Sequence, residues 1–138
     1  MKTVAISGYF DPLHVGHLEY IKQAKALGDY LIVIVNSDKQ ARLKKGKSFM
    51  NERDRLEIIK SLKWVDAAVI AVDKDGSVNE TLRNLQPDIF GNGGDRNFKE
   101  APEKELQGEW DLELVAHLGD KIRSSSDLTG IKEIKKWK

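Results

Sequence analysis

The chain contains no cysteine. Disulfides, thiolate chemistry and cysteine-ligated metal sites are therefore excluded. It has no apolar run near the length of a membrane span. It also lacks a charge bias: 23 Lys and Arg stand against 22 Asp and Glu, for a net charge of +1. A nucleic-acid binder usually carries a basic excess, so this class is disfavoured. The opening residues Met1 to Ile6 run straight into a strand-like segment. They show no charged leader, long apolar region and cleavage site of the signal-peptide kind. A cytoplasmic location, with neither membrane nor nucleic acid as partner, is the default expectation. What is present is an apolar fraction of 40%, enough for one core. A single domain over residues 1–138 is expected, with no internal repeat, linker or low-complexity segment.

Apolar runs alternate with helix-like stretches. Thr3 to Ile6 reads as a buried strand, and Leu18, Ile21, Ala24 and Leu27 fall at helical spacing. Gly28 then reads as the glycine that ends this helix. Tyr30 to Val35 is apolar throughout, as in a strand covered on both faces. Asn51 caps a helix running to about Leu62. Ala67 to Val72, Asp88 to Phe90 and Leu112 to Ala116 read as further strands, and Ser77 to Leu85 as a short helix. Ser124 or Ser125 opens a closing helix with lysines at its end. This alternation predicts an α/β fold: one doubly wound, Rossmann-like, five-stranded parallel sheet with helices on both faces. Ligands in such sheets bind at the carboxyl ends of the strands.

The first of those ends carries Ser7-Gly8-Tyr9-Phe10-Asp11-Pro12-Leu13-His14-Val15-Gly16-His17. Gly8 permits a tight turn, and Gly16 permits close approach at a helix start. A spacing of three puts His14 and His17 on one helical face. Free N–H groups and the positive dipole end make that helix start a phosphate site. Two imidazole donors beside it can hold charge that develops on a triphosphate. A His-x-x-His pair also suits a metal, but no third or fourth ligand is evident. One histidine could equally serve as a cap.

Gly8 to His17 resembles the signature of the cytidylyltransferase-like nucleotidyltransferases. The resemblance extends along the chain, through Ala26 to Val33, Lys63 to Asp66, Gly93-Gly94-Asp95 and Ser124 to Leu128. It implies transfer of a nucleotidyl group to a phosphorylated small molecule, with release of pyrophosphate. His14 and His17 would stabilise the transition state. Lys44, in the basic loop Arg42 to Lys47, would bridge the phosphates of both substrates, and Arg55 would bind the acceptor phosphate. Gly8, Tyr9, Phe10, Asp11 and Gly16 would line the nucleotide. Gly93, Gly94, Asp95 and Arg96 would surround base and ribose, and Ser124 and Ser125 would hold the β- and γ-phosphates. Asp11 could instead brace its turn. Magnesium would ride on the triphosphate, and a homodimer is implied, with Trp64 a candidate for its surface.

In the stretch Gly119 to Arg123 the arginine of glycerol-phosphate cytidylyltransferases is missing from its usual place, where Lys121 or Arg123 could substitute for its charge, and Asn92 replaces the lysine common in the adenylyltransferases. The contexts of Trp64 to Asp66 and Ser126 to Leu128 lean slightly to CTP, while Gly93-Gly94-Asp95 and the missing arginine pull toward ATP. The alternatives are a heptose-phosphate-type or flavin-type adenylyltransferase using ATP, a non-catalytic nucleotide sensor, and a fragment of a class I aminoacyl-tRNA synthetase. The last is disfavoured by shortness, near-neutral charge and the absence of a second lysine-rich signature. An ionised acceptor phosphate needs no general base, so catalysis would rest on positioning and charge neutralisation by in-line attack.

Overall fold

The computed structural model describes residues 1–93, 98 and 101–119. Among these, the strands are β1 (Thr3–Gly8), β2 (Tyr30–Val35), β3 (Ala67–Ile70), β4 (Ile89–Gly93) and β5 (Glu113–Leu118). The helices are α1 (Val15–Lys25), α2 (Asp38–Lys45), α3 (Glu52–Lys60) and α4 (Asn79–Leu85), with a 3₁₀ helix at Pro102–Gly108. All strand pairs are parallel, in the order β3-β2-β1-β4-β5. The order reverses between β1 and β4, which opens a crevice at their carboxyl ends.

Alternation along the strands builds two cores. Val4, Ile6, Leu31, Val33 and Ile89 face α1 and α3, meeting Ile21, Ala24 and Ile59. Ala5, Ile34 and Phe90 face the other side, meeting Leu82 of α4 and Leu106 of the 3₁₀ helix. Trp64, expected at a dimer surface, packs against the first core, with the Lys22 and Lys63 ammonium groups 5.5 and 5.4 Å from its ring.

Two local expectations are corrected. The basic loop holding Lys44 is the last turn of α2, whose start is fixed by a Ser37–Gln40 capping box and whose end is a left-handed Gly46. Gly28 is not the left-handed terminator of α1, which ends through Ala26. Its role is steric: a Cβ there would lie 2.8 Å from the Lys2 carbonyl oxygen. Asn51 does cap α3, accepting from the Asp54 amide at 2.9 Å. The expected closing helix from Ser124 or Ser125 lies outside the described residues.

Candidate active site

The two histidines are held by the helix they start. His14 is the N-cap of α1, and its Nδ1 accepts from the Gly16 amide at 3.2 Å. His17 Nδ1 accepts in turn from the His14 amide at 3.1 Å. This reciprocal box consumes the Nδ1 lone pair of each ring, so each neutral imidazole carries its proton on Nε2. The rings stack with centroids 3.8 Å apart. Gly16 makes room for this, since a Cβ there would sit 3.1 Å from the His14 ring. Phe10 wedges the second ring edge-on at 5.0 Å. Phe10 takes a left-handed φ of 50° to do so, and its ring lies where a Gly8 Cβ would fall, at 2.7 Å. Capping thus occupies Nδ1 of each ring, and Nε2–H lies outside the box.

These groups border a cleft of about 870 Å³ over the strand ends. Gly8, Tyr9, Phe10, Gly16 and Gly93 also line it, and so does Lys44. The Lys44 ammonium lies 4.8 Å over the Tyr9 ring. Burial raises the Tyr9 hydroxyl above its ordinary value, partly offset by the Arg55 charge. Gly94, Asp95, Arg96, Ser124 and Ser125 lie outside the described residues.

The chain is similar to known proteins in both sequence and fold. A family model described as cytidylyltransferase-like matches residues 5–130. The chain belongs to the cytidylyltransferase-like family. A protein named FAD synthase from Picrophilus torridus is 37% identical over 135 residues, covering 93% of each chain. FAD synthases from Thermococcus sibiricus and Pyrococcus abyssi are 45% and 41% identical over 103 and 96 residues. Those matches cover 74% and 69% of this chain, and 69% and 64% of the relatives. The chain therefore spans about two thirds of the length of these two. Among solved structures, the lipopolysaccharide core biosynthesis protein from Thermoplasma volcanium superposes with a TM-score of 0.73 at 34% identity, covering 85% of this chain and 96% of that one.

Within this cytidylyltransferase-like chain, two residues with expected ligand roles are placed otherwise. Arg55 is fully buried and does not line the cleft. Its Nε donates to the Met50 carbonyl, its Nη1 to the Tyr9 and Asn36 carbonyls, and its Nη2 to Asp38 Oδ1, at 2.7 to 2.9 Å. A guanidinium so occupied braces the site and does not reach an acceptor phosphate. The Asp11 carboxylate is likewise turned inward, accepting from the Phe49 and Met50 amides at 2.7 and 2.6 Å and lying 3.3 Å from Lys45 Nζ. Burial pushes Asp11 up, but these amides and Lys45 outweigh it and leave the carboxyl below its ordinary value. Asp11 therefore braces its turn, with its side chain wholly buried.

Sequence reasoning missed Asn36, Gln40, Tyr20, Asn92 as a ligand group, and Glu103, all of which line the cleft. Gln40 links the walls, donating to the Asp75 and Ser77 carbonyls at 2.8 Å. The Ser37-x-x-Gln40 spacing was the available signal. Among the described residues, no three His, Cys, Asp or Glu side chains converge as a metal-ligand group, and no helix is long and apolar enough to cross a membrane.

His17 makes the site sensitive to acid. Burial, and then the neighbouring His14, lower its pKa from the ordinary 6.5 to about 4. An unfolded chain therefore takes up this proton first as the pH falls. The stability tied to the neutral ring is complete above about pH 6.5 and is lost as the pH falls towards 4. Asp11, Asp38 and Asp66 also titrate below their ordinary 3.8, so their contributions fade at lower pH. The expected result is a melting temperature that declines between pH 6.5 and 4, with a shallower decline in His17→Gln. Parallel wild-type and variant profiles by calorimetry would remove His17 from this account.

Proposed function

We propose that the chain is a flavin adenylyltransferase, joining ATP to a flavin mononucleotide to form FAD and pyrophosphate. The observation that carries this reading is the likeness to FAD synthases, above all the relative matched over 93% of both chains. The apolar character of the cleft supports it. Tyr9, Tyr20, Val78 and Leu118 line it, and Leu43, 61% exposed, stands at its wall. Such walls suit a broad aromatic acceptor better than a small phosphorylated polyol. The lean towards CTP drawn from the sequence gives way to ATP on the strength of these relatives.

In this reading an oxygen of the flavin phosphate attacks the α-phosphorus of ATP. The bond from the α-phosphorus to the oxygen bridging to the β-phosphorus breaks, and pyrophosphate leaves with the electron pair. The Nε2–H groups of His14 and His17 donate to phosphate oxygens as charge grows on them. Lys44, which lines the same cleft, neutralises the acceptor phosphate. Among the described residues no group of carboxylates converges for a cation, so magnesium would enter with the triphosphate. When bound there it would supply charge neutralisation. Gly94, Asp95 and Arg96 around the base, and Ser124 and Ser125 at the terminal phosphates, complete the proposed site. Assembly as a homodimer through the Trp64 surface belongs to the same proposal, and light scattering tests it.

The deciding experiment supplies FMN with each of ATP, CTP, GTP and UTP and follows FAD-type product and pyrophosphate. ATP is expected to give product at least tenfold faster than CTP. Equal use of CTP, or pyrophosphate release only with phosphorylated polyols or heptoses, overturns the flavin reading. Lys44→Ala is expected to raise KM for FMN and slow turnover with little change in melting temperature, because its side chain is exposed and outside the core. A large fall in melting temperature with normal kinetics would reassign Lys44 to the fold.

A further inference from the structure

Among the described residues, three buried side-chain atoms have no hydrogen-bond partner, Asn79 Oδ1, Asn92 Nδ2 and Glu103 Oε1, and the last two belong to residues of the cleft. Both side chains line the cleft, and the residues are only 5% and 4% exposed. A buried polar atom left unpaired costs about 1–3 kcal/mol, and a ligand group that pairs with it removes that cost. One is a donor and the other an acceptor.

The sheet puts them on a particular side. In β4, a Cβ on Gly91 would meet Ile6 and Leu118, and one on Gly93 would meet Tyr20 of α1. Gly91 and Gly93 thus face α1, the side of His14 and His17. Asn92, between them, points by strand alternation to the opposite face, as does Phe90, which belongs to the core under α4. The 3₁₀ helix bearing Glu103 closes that same face. Asn79 of α4 secures it, its Nδ2 donating to the Pro102 carbonyl at 3.0 Å. The pair therefore sits across the sheet edge from the phosphate-binding histidines. A carboxyl group repels the phosphates that both substrates carry. The ligand part it meets must be free of phosphate and must offer a hydrogen.

We infer that Glu103 and Asn92 grip the ring of the acceptor by its imide edge, the carboxylate accepting from the flavin N3–H and the Asn92 amide donating to a neighbouring ring carbonyl. This rests on the flavin adenylyltransferase reading and adds the group that selects the acceptor. The adenine then belongs to the α1 side, beside Tyr20 and Gly93. Glutamine at position 103 keeps an acceptor oxygen, whereas leucine keeps bulk and loses it. Asn92→Asp turns the donor into a second acceptor facing a carbonyl.

The test measures binding of FMN, by flavin fluorescence, and of ATP, by calorimetry, to the wild type, Glu103→Gln, Glu103→Leu and Asn92→Asp. Glu103→Leu and Asn92→Asp are expected to weaken FMN at least tenfold with ATP within about twofold, and Glu103→Gln to lose much less. FMN methylated at N3 is expected to bind the wild type at least tenfold more weakly than FMN, with that difference vanishing in Glu103→Leu. The ligand-free Glu103→Leu protein is expected to melt no lower than the wild type, since an unpaired buried oxygen is removed. Loss of ATP affinity with FMN binding intact would assign the pair to the adenine edge and overturn the inference. Unchanged binding of both, or a lower melting point as the sole effect, would make the pair structural and overturn it equally. A wild type that binds FMN and makes FAD keeps the flavin reading even where these variants fail; one that does neither removes both.

Discussion

Replacing His17 by glutamine is expected to lower kcat by about a hundredfold or more while leaving the helix start intact. Glutamine at this third helical position is the ordinary partner in a capping box, and its Oε1 can accept from the His14 amide as Nδ1 now does at 3.1 Å. What it does not place is a hydrogen where the imidazole Nε2–H stands. If that hydrogen matters mainly as charge accumulates during displacement, KM for ATP should move far less than kcat. His17→Ala removes both functions. It should match the glutamine variant in kcat and lose about 1 kcal/mol of stability besides, the usual cost of a lost cap. Steady-state kinetics with thermal melts on the two variants separate these effects. An unchanged kcat in His17→Gln would reduce the histidine to a cap.

The histidine pair was legible because its geometry is local. Three residues of spacing set the stack, and the glycines at 8 and 16 mark where Phe10 and His14 turn back on the chain. The sheet was legible for a related reason: strands buried on both faces are continuous apolar runs. β4 was read too short because Asn92 and Gly93 look like turn residues, yet Gly93 pairs with Leu118 in the ladder. Helix α2 was hidden because only Gln40 and Ala41 of its residues are buried, so it shows almost no apolar period. Its cap and its terminal glycine were the only marks it carried. Glu103 was invisible for a third reason. It stands in the charged run 99–105, which reads as solvated surface, and only the docking of the 3₁₀ helix against α4 buries it.

Arg55 shows the same limit with the largest structural consequence. An arginine on a polar helix reads as a surface group or a phosphate ligand, because its partners are Tyr9, Asn36, Asp38 and Met50, drawn from separate segments of the chain. The fold makes it the pin between the histidine-bearing loop, the end of β2 and the start of α3. Its side chain has no exposed surface, while Asp38 keeps 25% of its own. Removing the guanidinium strands three carbonyls and a carboxylate that burial pushes up and Arg55 holds down. A broken buried pair costs about 3–5 kcal/mol, and the partial exposure of Asp38 points to the lower end. Arg55→Met is therefore expected to lower the melting temperature by roughly 10 °C. Arg55→Lys should recover only part of this, since one ammonium cannot span four acceptors in a fixed fork. At a temperature where the variants stay folded, KM for FMN should change little compared with the effect of Lys44→Ala. Thermal melts and kinetics on the same samples decide the matter. A melting temperature within a degree or two of the wild type, with KM for FMN raised tenfold or more, would return Arg55 to the acceptor phosphate and require the guanidinium to swing out of its four bonds when substrate arrives.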